Sequence, residues 1–234
     1  RDTLEEARQA IHFGASALGL VAEMPSGPGT ISDEEIARIA AKIPPPVASF
    51  LLTSRTDAAA IVAHQQAVMT NTIQLVDALS NGSYAMIKAR LPGVRVVQVI
   101  HVLDERSVDE ALAVAGEVDA LLLDSGNPNL QVKQLGGTGR THNWKLSAQI
   151  VAHELVIRVR DTGPGPTTNW NPSGRRGAQG PGRVFLAGGL GPANIREAIE
   201  AVQPFGVDIC SGVRTADRLD PQKLEHFVSE VFGI

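Results

Sequence analysis

Apolar positions along this chain fall into two kinds of segment that alternate. Short, continuously apolar runs rich in Val, Ile and Leu lie at Ala17–Ala22, Val47–Leu52, Thr72–Val76, Arg95–Val102, Ala120–Asp124, Arg183–Ala187 and Val207–Cys210. Runs of this length without polar alternation suit strands covered on both faces in a parallel sheet. Longer amphipathic stretches separate them. Thr3–Phe13, Asp33–Lys42, Asp57–Ala67, Ser107–Ala115, Trp144–Val156, Pro192–Val202 and Asp220–Val231 carry helical spacing. Ser32, Thr56 and the Gly191-Pro192 pair supply helix starts, and Pro221 stands just inside the last one.

Through the first five runs, strand starts recur roughly every 23 to 30 residues, the period of a βα unit. The repeat predicts one α/β layer and a single domain over 1–234. The pattern yields seven strands, and the chain opens directly on a helix. The expected architecture is a (β/α)₈ barrel whose first strand is absent from this chain. On pattern alone, a doubly wound open sheet is the alternative.

One interval breaks the rhythm. Ala120 to Arg183 is more than twice the usual spacing. Its later part, about 159–182, is aperiodic and dense in Gly, Pro, Asn and Arg, so it cannot bury a core face. A disordered surface insertion is expected there. Its borders also fit a retained intron, because valine codons begin GT and one glutamine codon ends AG.

Composition narrows the function classes. With 43% hydrophobic residues the chain can build a full core. A net charge of -4 gives no reason to expect nucleic acid or an anionic membrane as partner. One cysteine, Cys210, excludes an internal disulfide. Neither a bilayer-spanning run nor a signal-peptide pattern is present, so a soluble cytoplasmic protein is expected.

Three glycine clusters follow three late strands in succession. They are Gly136-Gly137-Thr138-Gly139, Gly188-Gly189, and Ser211-Gly212. Glycine at a strand C-terminus lets backbone N–H groups approach an anion closely, and the late-strand corner of an α/β barrel is a recurrent phosphate site. A phosphate-bearing ligand is the expectation. Asp124 ends its strand, where a barrel side chain points into the catalytic mouth; the bland account is a loop-ordering acid. Asp77 ends its strand similarly. His101 lies within a strand and reads as a buried, hydrogen-bonded structural residue. His12, His64, His153 and His226 fall on helices and read as surface residues. No metal-ligand spacing is evident.

These residues resemble the phosphoribosylanthranilate isomerase family, the barrel enzymes of tryptophan biosynthesis. The likeness is collinear over nearly the whole chain, through EEARQAIHFGASALGLV, DALLLDS, LGGTGRTHNW, FLAGGLGPANIREAI and QPFGVDICSGVR. It implies an Amadori rearrangement of a small phosphosugar substrate, without a cofactor, by a monomer or homodimer. Asp124 matches the family's general acid. Asp208 matches a polar position of the last strand that helps to hold the anthranilate end. The glycine clusters match the ribose 5-phosphate site.

Departures from the family pattern are informative. The family's base is a cysteine in a K-x-C-G-x-T signature on the first strand, expected upstream of Arg1, and Cys210 is not its equivalent. Gly29 stands where the family places an arginine for the anthranilate carboxylate, and Val76 where it places a histidine. Arg55 could supply a replacement cation. Three readings therefore stand side by side: the isomerase itself, a paralogue that binds or isomerises another ribose-phosphate compound, and a non-catalytic phosphosugar-binding barrel.

Overall fold

A computed structural model describes residues 3–25, 29–129, 139–161 and 183–233. Gly136, Gly137 and Thr138 of the first glycine cluster lie outside the described residues, as does 162–182 of the expected insertion. The backbone of 159–161 continues a helix.

Seven strands form one parallel sheet in sequential order: β1 (Ala17–Val21), β2 (Ala48–Thr53), β3 (Thr72–Leu75), β4 (Arg95–His101), β5 (Ala120–Asp124), β6 (Val184–Leu186) and β7 (Gly206–Val207). All six pairings are parallel, with no strand inserted between sequence neighbours. That order is the one the βα repeat predicts for a barrel, and it excludes the doubly wound alternative, whose strand order must reverse at a switch point. Helices α1 (Thr3–His12), α2 (Asp33–Ala40), α3 (Ala58–Val68), α4 (Tyr84–Arg90), α5 (Arg106–Ala115), α6 (Trp144–Asp161), α7 (Ile195–Val202) and α8 (Pro221–Phe232) accompany the strands.

Strand pleat sorts the apolar side chains into two cores. Ile73, Leu75, Val96, Ile100, Leu121, Leu123, Val184 and Leu186 pack outward under the helices. Val97, Val99, Ala120, Leu122 and Ala187 pack together on the opposite face, with Phe50, Leu52 and Phe185 against them. This second set is the barrel interior. Period-two alternation then places Asp124 of β5 and His101 of β4 on the inner face.

β1 and β7 are the sheet edges, yet the helices meet around them. α1 packs on α8, and Arg214 Nη1 lies 3.2 Å from Glu6 Oε2. The helical ring is therefore joined where the strand ring is open. Ala17 and Gly19 of β1 are exposed as a result, although they face the interior.

Several local expectations need correction. Asp57, not Thr56, caps α3, because its carboxylate accepts from the Ala60 amide. Asn194 precedes α7, whose first turn begins at Ile195 and not at Pro192. α4 was not predicted: it is only seven residues long, too short to show a periodic stripe, and Ser83 caps it. A small antiparallel pair, β8 (Arg214–Thr215) with β9 (Arg218–Leu219), was also not foreseen. His64 is buried, not on the surface. Its ring lies 3.2 Å from Thr53 Oγ1 and 2.9 Å from Asp33 Oδ1, which ties α3 to β2 and α2. His12, His153 and His226 are exposed as expected.

Candidate active site

Parallel strands deliver their C-terminal ends to one rim, and the chemistry-bearing residues gather there. Gly139, Gly189, Ser211 and Gly212 line one cavity of about 290 Å³, together with Leu190, Gly191 and Asn194. Three separate loops thus meet at one cavity through these described residues. The approach is close enough to require glycine. Gly189 has φ +64°, and a Cβ there would lie 2.4 Å from the Arg140 carbonyl carbon. A Cβ on Gly212 would lie 2.2 Å from the Leu190 carbonyl oxygen. A cavity walled by closely packed glycine loops suits an anion that backbone N–H groups would hold.

Asn194 fixes the middle loop, and sequence reading missed it. Its Nδ2 donates to the Gly189 carbonyl at 3.0 Å, and its Oδ1 accepts from the Gly191 amide at 2.9 Å. An asparagine two residues after Gly-Pro before a helix was the available signal.

Asp124 is 5% exposed at the end of β5. Burial raises its pKa above the usual carboxylate range, against the opposing pull of the Ser125 and Gly126 amides and of His101. A buried carboxyl that gives up its proton less readily than usual suits general acid work. Asp208, just past β7, is crowded by protein and repelled by Asp124, which pushes its pKa up to about 6. Asp208 is nonetheless solvent-exposed. That access limits the cost of charging it.

Gly188 joins acid and cradle. A Cβ on it would meet the Ser125 amide nitrogen at 2.8 Å, so the glycine loop rests against the residue next to Asp124. Asp77 stands just past β3, with its Oδ1 accepting from the Ala78 amide at 3.0 Å. Arg55 has local partners: its guanidinium lies 3.8 Å from Asp33 Oδ2 and donates to the Ala60 carbonyl at 3.3 Å. Among the described residues no group of three His, Cys, Asp or Glu converges as a metal site, and no helix is long and apolar enough to cross a membrane.

Known proteins resemble this chain over nearly its whole length. The family model for N-(5'-phosphoribosyl)anthranilate (PRA) isomerase matches residues 2–230. The N-(5'-phosphoribosyl)anthranilate isomerase of Methanocella arvoryzae is 29% identical over 98% of this chain and 93% of its own. That of Methanothrix thermoacetophila is 32% identical over 95% and 90%. The solved phosphoribosylanthranilate isomerase of Thermotoga maritima superposes with TM-score 0.71 at 25% identity, over 99% of this chain and 95% of that one. The family model over residues 2–230 and the whole-chain similarity show that this chain belongs to the N-(5'-phosphoribosyl)anthranilate isomerase family.

Proposed function

We propose that this protein catalyses the Amadori rearrangement of N-(5'-phosphoribosyl)anthranilate to the 1-deoxyribulose 5-phosphate product. The observation that carries the reading is the contact of the glycine cradle, through Gly188, with the residue following a buried strand-end aspartate whose pKa burial raises. A phosphate held by Gly139, Gly189, Ser211 and Gly212 sets the ribose toward Asp124. Gly136, Gly137 and Thr138 belong to the same proposed cradle.

Asp124 then gives its proton to the ribose ring oxygen. The C1–O bond breaks with its electron pair going to that oxygen, and the anthranilate nitrogen lone pair forms the C1=N bond. Loss of the C2 proton to a base gives the enol, which relaxes to the aminoketone. The imine nitrogen accepts the electrons, so the chemistry needs no cofactor. Asp208 faces the same mouth and contacts the anthranilate end. Arg55 is the cation we assign to the anthranilate carboxylate. Its partly exposed pairing with Asp33 is loose and costs little to exchange.

The test is turnover of N-(5'-phosphoribosyl)anthranilate by the full-length protein and by Asp124→Asn. Positioned proton donation contributes ~10²–10⁴-fold. The variant should lose about that much kcat while binding ribose 5-phosphate as tightly as wild type. Wild-type kcat in the variant would remove Asp124 from the mechanism. Absence of turnover by the wild-type protein would overturn the isomerase reading. Because Gly29 replaces an expected arginine, a ribose-phosphate substrate lacking the carboxylate belongs in the same assay. A higher kcat/KM for it would favour the paralogue reading.

A further inference from the structure

Thr53, His64, Asp33 and Arg55 form a closed circuit of contacts that begins and ends at Arg55. Arg55 stands just past the C-terminal end of β2, on the rim to which the parallel β5 delivers Asp124. Its backbone amide donates to Thr53 Oγ1 at 3.3 Å. Thr53 Oγ1 lies 3.2 Å from His64 Nδ1, and His64 Nε2 lies 2.9 Å from Asp33 Oδ1. The other oxygen of that carboxylate, Oδ2, lies 3.8 Å from the Arg55 guanidinium.

The partners fix where each hydrogen lies. A carboxylate only accepts, so His64 Nε2 carries the ring hydrogen. In that tautomer Nδ1 accepts from the Thr53 hydroxyl, whose oxygen accepts from Arg55. Thr53 is 1% exposed and His64 3%, so water does not compete for these bonds. At the outer end the Asp33 and Arg55 side chains are partly exposed. The guanidinium also donates to the Ala60 carbonyl at 3.3 Å. A guanidinium has more donors than these contacts use, which leaves it able to take a second anion.

We propose that His64 is a positioning residue for Arg55: through Asp33 and Thr53 it sets this cation at the rim for the substrate carboxylate. The inference rests on the isomerase reading and on the assignment of Arg55 to that carboxylate. A long side chain that wanders loses rotamer freedom when it binds, and the circuit removes part of that loss beforehand. Asp33 keeps its bond to His64 when Arg55 turns to the substrate, so the exchange does not strand a carboxylate. Without His64, Asp33 either leaves Arg55 unplaced or clings to it. Carboxylate recognition weakens in both cases.

The readout is a ratio: kcat/KM for N-(5'-phosphoribosyl)anthranilate over kcat/KM for N-(5'-phosphoribosyl)aniline, the same compound without the carboxylate. A general loss of fold lowers both values and leaves the ratio. His64→Asn keeps a partner for the Thr53 hydroxyl but does not reach Asp33, and Thr53→Val breaks the circuit on the other side. Each should lower the ratio about threefold to tenfold, the size of one side chain's ordering cost. Arg55→Met should lower it at least as far, and adding His64→Asn to Arg55→Met should lower it no further. An unchanged ratio in either His64→Asn or Thr53→Val, or a further fall in the double variant, would overturn the positioning role. An unchanged ratio in Arg55→Met would remove Arg55 from carboxylate binding, and the proposal with it.

A second measurement does not depend on activity. Spectra of wild-type protein with ¹⁵N-labelled histidine should show the His64 hydrogen on Nε2 and none on Nδ1. The Nε2 resonance should shift in Asp33→Asn. A hydrogen on Nδ1, or an unmoved Nε2 resonance, would overturn the circuit. If the wild-type protein does not turn over N-(5'-phosphoribosyl)anthranilate, the isomerase reading fails by itself, and the spectra still decide whether His64 holds Asp33.

Discussion

Gly188 lies so close to Ser125 that a Cβ on it would sit 2.7 Å from the Ser125 hydroxyl. Its φ of +85° is a second reason for glycine. Gly188→Ala therefore meets both backbone strain and a clash. Strain of this kind costs about 1–3 kcal/mol, and relief must push Ser125 and with it Asp124. We expect a lower denaturation midpoint together with a fall in kcat, since the acid moves. Urea denaturation and steady-state kinetics check this. An Ala variant with wild-type midpoint and kcat would show that the contact is relieved elsewhere.

Ser211 opens the short 3₁₀ turn Ser211–Val213 and lines the glycine-walled cavity while remaining exposed. Ser211→Asp places a negative charge beside the proposed phosphate with little cost to the fold. KM should rise by about tenfold or more, equivalent to about 1.4 kcal/mol of binding, with kcat changed much less. An unaltered KM would place the phosphate outside this corner.

Asp208 makes a prediction about stability and pH. Its folded pKa is raised from 3.8 to about 6, mainly by burial and further by repulsion from Asp124. The native state therefore holds a proton that the unfolded chain has lost, and stability falls as pH rises between those values. Asp208→Asn should flatten the fall and raise Tm at pH 7 to 8. Thermal melts of both proteins from about pH 4 to pH 8 measure it. Parallel curves would show that solvent already relieves the charge at this exposed residue.

Asp119 ties the opposite end of the sheet together. Its carboxylate accepts from the Val96 amide at 2.9 Å and pairs with Arg95 at 3.1 Å and Lys88 at 3.6 Å. Burial acts to raise its pKa, but these partners outweigh it, and the net shift is downward. A lowered carboxylate pKa contributes stability above the ordinary value and loses it as pH falls. Asp119→Ala should cost about 1–3 kcal/mol at pH 7, mostly from the orphaned amide, because the Arg95 and Lys88 pairs are solvent-screened. The cost should shrink in acid. Equal denaturation midpoints at pH 7 would refute it.

The fold was legible in the sequence because a parallel strand covered on both faces writes a continuous apolar run. β1 to β5 register as such runs, and short chain-order connections leave one arrangement for them. The glycine clusters were legible for a related reason: only glycine tolerates the approach seen at Gly189 and Gly212. α4 escaped because seven residues carry no periodic signature, and the His64 site escaped because its partners Thr53 and Asp33 are distant in sequence.

What the sequence by itself determined is therefore the βα order, the family likeness and the residue types of the cradle. Tertiary structure alone decided who stands beside whom. His101 read as a structural histidine, and its strand gave no sign that Nδ1 would be left unpartnered across from Asp124. Register fixes that neighbour, and register is a relation between strands 23 residues apart in the sequence, absent from either strand alone. Arg55 shows the converse. Its charge is legible in the sequence, but only the packing of α2 beside α3 gives it Asp33 as its ion-pair partner in this structure. Electrostatic partners are chosen by distance and burial, and only the folded chain sets both.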